Sequence, residues 1–399
     1  MNENLKYMII GVLIPYLIQL SINLLKFYKK VTIIKKRKLQ SDTASIFNWI
    51  INYYNSRGRN DDLYQCHISE KQKTIPFLVL PSNRPTPLDF DLNKNFDFIK
   101  FESINVNFPV EKKLIEERKN SGMIIYPDSP SVFIDSIIET PNSTAFSIKT
   151  CQYFSILSNV ISIENETFTN IQRKNKNNTN VRDSYLASIE QAIMFNKKPL
   201  SLGCSFLIAM KTESSYDFIF HKRSSNMLTY PNIMSSIPNF GINPIPARSI
   251  RSKNMTYNLV LYNFIKEYLE ELYDYEELID NSKNKRIDPF WFYDADESQL
   301  LISAGKSGKL KLYYLGFGFD CLNGVPTLSF LCTIQDQQVI NDLITNGKLN
   351  YESDINYGLE KIPIGSDKLI RWLREDMFLP VTAFAISETL RNRDTLLKD

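Results

Sequence analysis

The sequence predicts an α+β protein made of three consecutive parts. The stretch from Tyr7 to Leu25 contains no charged residue, which predicts an N-terminal transmembrane helix. From about Thr74, short apolar runs broken by proline, asparagine and glycine predict a strand-rich middle segment. In the C-terminal half, two predicted β-hairpins flank an acidic helix, so strands and helices mix there.

Composition sets the broad class of the protein. The chain has 399 residues, of which 43% are hydrophobic, so it can bury a sizeable core in two or three domains. Its net charge of +3 is close to balanced and does not indicate a nucleic-acid-binding protein, so we expect no duplex nucleic-acid partner. The five cysteines are scattered, which argues against a disulfide framework, and two histidines leave little material for a multi-histidine metal site.

The apolar N-terminal run is bracketed by Lys6 and Lys26, and a helix of this length crosses a bilayer core of about 30 Å. A signal peptide is the main alternative, but it would have a shorter apolar core followed by a small-residue cleavage site. Here the run is followed by the basic stretch KFYKKVTIIKKRK. The positive-inside rule therefore predicts a single-pass protein of the cell inner membrane with cytoplasmic C-terminal domains and contacts to anionic membrane lipid.

Two amides lie inside the predicted span. Gln19 and Asn23 are four residues apart, on one helix face, and buried amides in lipid seek partners on other helices. They predict self-association in the membrane, and we expect a homo-oligomer on activation. The predicted domains are the anchor with its basic segment at 1–40, a strand-rich accessory domain at 41–195 and a C-terminal domain at 196–399.

Within the accessory domain, SIFNWIINYYN at 45–55 predicts an amphipathic or buried helix, and VEKKLIEERKN predicts a short charged helix. The polar, asparagine-rich stretch from Glu164 to Asp183 predicts a linker or exposed loop. SYLASIEQAIMFN then predicts a helix with Leu186, Ile189 and Ile193 on one face. No catalytic motif is visible in this domain.

The acidic helix NFIKEYLEELYDYEEL carries carboxylates at i, i+3, i+4 and i+7, at positions Glu267, Glu270, Glu271 and Asp274. Like charges at this spacing destabilise a helix by roughly 0.2–0.5 kcal/mol per pair. A bound Mg²⁺ or Mn²⁺ would remove the repulsion, because hard cations prefer oxygen ligands. The alternative is a solvent-exposed acidic helix that binds nothing.

The order of strand, HKRS, PNFG loop, KEYLEEL helix and further strands resembles the Nudix superfamily. The family's Arg-Glu pair falls on Lys266 and Glu267, and its paired glutamates fall on Glu270 and Glu271. The resemblance implies a C-terminal Nudix-like α/β/α sandwich in which these three glutamates bind the metal and Glu267 is the catalytic base. Ser252 and Asn258 replace the signature's glycine and first glutamate, so the box is degenerate.

Three further residues are candidates for nucleotide binding. His221 and Arg223 share one face of a strand end, where side chains alternate, and Arg223 could meet a phosphate in a bidentate pair. Phe240 could stack on a base. An exposed strand end and a core aromatic are the alternatives.

A membrane helix joined to a Nudix-like domain is similar to effectors of cyclic-oligonucleotide antiphage systems (CBASS). The resemblance implies an effector that senses a nucleotide second messenger, with a cyclic oligonucleotide as the expected ligand, and disrupts the inner membrane during abortive infection. It also implies a functional link to a nucleotidyltransferase. The alternative is a membrane-tethered, Mg²⁺-dependent Nudix hydrolase of nucleoside diphosphate-linked substrates. A membrane-anchored scaffold without a ligand is a third possibility.

Overall fold

The computed structural model describes residues 18–21, 23–24, 38–68, 71–80, 85–121, 123, 125–140, 143–173, 179–194, 199–227, 229–245, 257–275, 279–280, 285–286 and 290–398. The strands are β1 (Leu63–Ile68), β2 (Lys71–Val79), β3 (Thr86–Leu88), β4 (Ile99–Asn105), β5 (Pro130–Thr140), β6 (Ser143–Gln152), β7 (Gly203–Lys211), β8 (Tyr216–Lys222), β9 (Met234–Ser236), β10 (Asn239–Gly241), β11 (Ile279–Asp280), β12 (Lys285–Arg286), β13 (Leu310–Asp320), β14 (Pro326–Ile334) and β15 (Leu359–Pro363). The α-helices are α1 (Thr43–Asn55), α2 (Lys112–Asn120), α3 (Tyr153–Arg173), α4 (Asn180–Tyr185), α5 (Ile189–Ala192), α6 (Leu259–Tyr273), α7 (Asp296–Lys306), α8 (Gln337–Asn346), α9 (Asp367–Arg374), α10 (Pro380–Arg391) and α11 (Arg393–Leu396). Short 3₁₀ helices cover Asn60–Asp62 and Trp291–Asp294.

The main sheet has ten strands, and its principal order is β1-β2-β13-β14-β7-β8-β15. The long strand β13 joins early and late parts of the chain, because it pairs with β2 and β3 on one side and with β14 on the other. The β14–β7 pair is parallel, and β7 continues into β8 through the predicted hairpin. A smaller sheet, ordered β4-β6-β5, adds three strands.

Helices cover both faces of the main sheet. The Phe206 ring on β7 stacks on Phe264 of α6 with centroids 4.2 Å apart, so α6 covers the face that carries the even-numbered residues of β7. On the other face, the Ser236 hydroxyl bonds both Ser205 of β7 and Thr382 of α10. The main sheet is therefore layered between α6 and α10. Because side chains alternate along a strand, the residues on either side of Phe220 in β8 lie on the α6 side.

The predicted N-terminal transmembrane helix is a wrong prediction for the part of the chain that the structure describes. Most of the stretch from Tyr7 to Leu25, and the basic stretch 26–37, lie outside the described residues. No helix among the described residues is both long and apolar enough to cross a membrane.

The fold class is therefore corrected to a mixed α+β structure with one large curled sheet. The single-pass inner-membrane location with cytoplasmic domains, which depended on the span, is corrected with it. The sheet also takes β1, β2 and β3 from the predicted accessory domain and pairs them with C-terminal strands, so it crosses the proposed boundary at 195.

Several local predictions can be compared with the structure. The helices predicted at 45–55 and at VEKKLIEERKN are confirmed as α1 and α2, and both hairpins are confirmed, with Gly324 at φ +77° in the second turn. The predicted loop from Glu164 is wrong, because α3 runs on to Arg173 and fully buries Glu164 and Thr167. The helix predicted near Leu186 divides into α4 and α5, because Ser188 begins a new helix by accepting from Gln191 N.

Candidate functional site

Helix α6 is the centre of the site, and its ends explain why it forms there. Asn258 is the N-cap residue: its Oδ1 accepts from Leu261 N at 3.1 Å, and its Nδ2 donates to Lys94 O at 2.8 Å. Asp274 ends the helix in the left-handed region at φ 54°. The residue that departs from the Nudix signature at 258 therefore caps the helix and ties it to the loop after β3.

The carboxylate stripe of α6 is neutralised by a neighbour on the same helix. Lys266 Nζ donates to Glu270 Oε2 at 2.8 Å and to Glu267 Oε1 at 3.4 Å. Glu271 is buried, and its Oε1 accepts a hydrogen bond from Asn239 N at 3.1 Å. Two of the three predicted metal ligands, Glu267 and Glu270, therefore share Lys266 as a partner, and the third, Glu271, bonds the Asn239 amide instead.

Burial gives Glu271 an unusual electrostatic environment. Burial raises its pKa well above the ordinary value, and the carboxylates of Glu352 and Glu267 raise it further. The Asn239 amide and the Arg223 charge oppose this shift. We infer that Glu271 is a carboxyl group in which the proton is easily retained, which is unlike a metal-ligating carboxylate.

His221 and Arg223 share one side of the end of β8, as the alternation predicted. His221 is buried, and its Nδ1 lies 2.7 Å from Ser353 Oγ. Burial and, to a smaller extent, the charge of Arg223 together lower its pKa to about 3, so the imidazole is neutral at pH 7. Arg223 is half-buried, and its Nη2 donates to Thr229 O at 3.3 Å.

One imidazole nitrogen and one guanidinium nitrogen in this described region are buried without a hydrogen-bond partner. Among the described residues, neither His221 Nε2 nor Arg223 Nε has a hydrogen-bond partner. A buried polar atom without a partner costs about 1–3 kcal/mol, so such atoms mark places where a water or a ligand belongs. Both atoms belong to side chains that point from the sheet towards the α6 side.

A loop that sequence reasoning missed forms the wall of this site. Residues 350–354 run beside the end of β8: Ser224 N donates to Glu352 O, and Asp354 N donates to Lys222 O, both at 2.7 Å. Ser353 holds His221, and the Glu352 carboxylate accepts from the Tyr126 hydroxyl. The sequence signal for this loop is weak, since YESDINYG reads only as a polar turn with two tyrosines.

Further hydrogen bonds and one ion pair connect charged residues near Arg223. Thr229 Oγ1 donates to Glu164 at 2.6 Å, and Glu164 pairs with Arg118 at 2.5 Å in an ion pair with no solvent exposure. Asp320 accepts from the Tyr230 hydroxyl at 2.9 Å, and burial raises the Asp320 pKa to about 7. The site is therefore a mixed cluster of buried acids and bases rather than a pure carboxylate set.

The arrangement of Glu267, Glu270 and Glu271 does not match the Mg²⁺ or Mn²⁺ site predicted for them. Within the described parts of the chain, no group of three or more histidine, cysteine, aspartate or glutamate side chains is arranged to hold a metal. Lys266 adds a positive charge between Glu267 and Glu270, where a divalent cation would need room. No chemical step is therefore assigned to a metal here.

The remaining candidate residues lie elsewhere. Phe240 is buried, and its ring stacks on Phe206 with centroids 6.0 Å apart, so it belongs to the core. Gln19 and Asn23 are exposed, and Gln19 Nε2 donates to Asn23 Oδ1 at 3.4 Å. Their role in self-association stays a prediction, and the membrane setting expected for it is not found.

Comparisons with known proteins give little further information. No family model matches the chain, and no curated protein matches it. Among solved structures, the crystal structure of a NUDIX hydrolase from Alicyclobacillus acidocaldarius is similar over 48% of this chain and 90% of that chain, with 13% identity and a TM-score of 0.26. The resemblance to CBASS effectors has no counterpart in these matches.

Proposed function

We propose that the protein binds a nucleotide between α6 and the loop 350–354, and that it acts as a receptor rather than as a hydrolase. The observation that carries this proposal is the pair of buried, unpartnered nitrogens, His221 Nε2 and Arg223 Nε, on one side of β8 in the described structure. A guanidinium N–H is a strong donor to phosphate oxygen, and neutral imidazole can donate or accept through Nε2.

The charges around Arg223 favour a particular class of nucleotide. Glu271, Glu352 and Asp320 all lie close enough to influence the pKa of Arg223. Because burial raises the pKa of Glu271 and of Asp320, the Glu352 carboxylate is the acid of this set that would most repel a terminal triphosphate with several negative charges. A phosphodiester carries one negative charge per phosphate, so a linear or cyclic oligonucleotide suits this mixed site better.

Hydrolysis has less support from the geometry. Glu267 and Glu270 are engaged by Lys266, and Glu271 is engaged by the Asn239 amide, so no carboxylate of α6 is poised alone as a base. The arrangement holds its groups in place, as expected of a site that binds a ligand without turning it over. The Mg²⁺-dependent hydrolase stays the alternative that the test must address.

The sequence resemblance supplies the finer part of the proposal. On that basis we expect a cyclic oligonucleotide second messenger of antiphage defence, made by a partner nucleotidyltransferase, and a homo-oligomer that forms on binding. Membrane disruption is not carried forward, because it depended on the transmembrane helix.

The test is a binding screen of the full chain against linear and cyclic oligonucleotides and nucleoside triphosphates, with and without Mg²⁺. We expect a phosphodiester ligand to bind without Mg²⁺ and Arg223→Ala to weaken that binding at least tenfold. Arg371→Ala, at an exposed arginine of α9, is the matched control and should bind normally. Sedimentation with and without ligand measures oligomer formation.

Two results would contradict the proposal. Equal binding by wild type and Arg223→Ala would remove Arg223 from the site. Mg²⁺-dependent product formation that is abolished by Glu270→Gln would replace the receptor with the hydrolase.

A further inference from the structure

Two exposed tyrosines stand at the rim of the site, where the outward side of the loop 350–354 meets the segment before β5. Tyr126 is 40% exposed and Tyr351 is 53% exposed. Their hydroxyls lie 3.2 Å apart, with Tyr351 donating to Tyr126. The two rings are therefore held near each other at the surface, beside the buried charges.

Hydrogen bonds fix the orientation of both rings. The Tyr126 hydroxyl donates to the Glu352 carboxylate, and the Tyr126 ring meets Tyr153 edge-on with centroids 6.4 Å apart. Tyr351 has no aromatic neighbour of its own among the described residues other than this hydroxyl contact. Tyr351 is 53% exposed while its hydroxyl is held by Tyr126, so the side chain can be reached from solvent in this orientation.

The same short loop connects this ring to the phosphate-binding residues. Tyr351, Glu352 and Ser353 are consecutive. Tyr351 lies at the surface, the Glu352 carboxylate bonds the Tyr126 hydroxyl, and Ser353 contacts the His221 ring. Burial raises the pKa of Tyr351, and the carboxylates of Glu352, Glu270 and Glu267 add to this, so the ring lies near the acidic face of α6. Ser353 brings this loop against His221, and Tyr351 lies two residues before Ser353 in the same loop.

We propose that Tyr351 is the platform on which a base of the nucleotide stacks, with Tyr126 and Glu352 as the residues that position it. This inference rests on the proposed function and adds the base-recognition element that Phe240, in the core, cannot supply. Stacking suits this place because every base has a π-face, and the ring costs little conformational entropy when hydrogen bonds already hold it.

The experiment separates base recognition from phosphate binding by using two probes on the full chain. The first is the dinucleoside monophosphate ApA, and the second is its counterpart with two abasic sugars and the same single phosphodiester. Binding is titrated by NMR with wild type, Tyr351→Ala, Tyr351→Phe and the control Tyr357→Ala. Tyr357 is an exposed tyrosine of the same region that contacts Lys222 instead, with Nζ 5.4 Å from its ring centroid.

We expect Tyr351→Ala to weaken ApA binding by about 5- to 100-fold, the range expected from the loss of one stacked base. Tyr351→Phe keeps the ring and should stay within about twofold of wild type, and Tyr357→Ala should be unchanged. Abasic-probe binding should be equal in wild type and Tyr351→Ala.

Each other outcome counts against one of the two proposals. Unchanged ApA binding in Tyr351→Ala overturns the stacking platform and leaves the proposed function standing. An equal loss of both probes in Tyr351→Ala also overturns it, because the loop would then act on the phosphate. Wild type that binds neither probe overturns the proposed function and the platform together.

Discussion

Lys266 and Glu270 form an ion pair along one face of α6, with Lys266 Nζ 2.8 Å from Glu270 Oε2. This pair explains how the helix tolerates its acidic stripe, since Lys266 also reaches Glu267. The side chains of Lys266 and Glu270 are only 9% and 15% exposed, so water screens the pair weakly.

Replacing the lysine should therefore be costly. Lys266→Met should lower the free energy of unfolding by about 1–3 kcal/mol, because two largely buried carboxylates lose their charge-assisted hydrogen bonds from Lys266. The matched control is Lys309→Met, whose pair with Asp336 involves a lysine that is 61% exposed, and its effect should be within about 1 kcal/mol. Urea unfolding at pH 7 measures both. Similar effects for the two variants would mean that Lys266 does not neutralise the stripe.

Asn258 supports the start of the same helix in two ways. Asn258→Ala should cost about 2–3 kcal/mol, because it removes the cap to Leu261 N and the buried bond to Lys94 O. Ser366→Ala, which removes only the cap of α9 at Leu369 N, should cost about 1 kcal/mol. Thermal or urea unfolding provides the comparison. A smaller loss for Asn258→Ala than for Ser366→Ala would contradict the tie between α6 and the loop after β3.

Asp320 should make stability depend on pH. Burial raises its pKa to about 7 in the folded protein, above the value near 4 in the unfolded chain. Between these values the folded state binds more protons, so its stability falls as pH rises from about 4 to about 7. The slope from this group is about 1.4 kcal/mol per pH unit at most.

The variant Asp320→Asn keeps an oxygen that can accept from Tyr230 and Leu322 N but cannot titrate. Its stability should therefore fall less than that of wild type between pH 5 and pH 7. Glu375→Gln, at an exposed carboxylate, is the control and should keep the wild-type slope. Parallel curves for wild type and Asp320→Asn from urea unfolding at each pH would rule out this role for Asp320.

His221 should make stability rise with pH, which is opposite to the effect of Asp320. Its pKa falls to about 3 in the folded protein, below the unfolded value near 6.5, so the unfolded chain binds the extra proton in between. Stability from this group is complete above about pH 6.5 and is lost as pH falls towards 3. His221→Gln should lose less stability than wild type between pH 6.5 and pH 4.5. A wild-type curve that tracks the variant across this range would show that His221 is not the group responsible.

Periodicity and turn chemistry were enough to predict the local elements of the C-terminal half. The hairpin around KTESSYD, the turn at Asn323–Gly324 and the shared side of His221 and Arg223 all follow from strand alternation and glycine conformation. The same reasoning failed at Glu164, because the polar residues that read as a loop are helical and buried, with Glu164 paired to Arg118. Tertiary pairing of charges is invisible to a local pattern.

The candidate site was predictable only in part. The carboxylates of α6 and the pair at the end of β8 were identified, but their partners were not. Glu352 and Tyr126 come from distant parts of the chain, and nothing in their local sequence indicates that they meet. Phe240 looked available for stacking because burial by a facing helix cannot be read from three residues around a turn.

The pairing of early and late strands in the main sheet also has a consequence during synthesis. Tyr64 of β1 bonds Glu388 of α10, 324 residues later in the chain. At about 5–20 residues per second, a ribosome needs roughly 15–65 s to make the residues between them. The β1–β2 hairpin therefore leaves the exit tunnel long before β13 and α10, against which it packs, have been made.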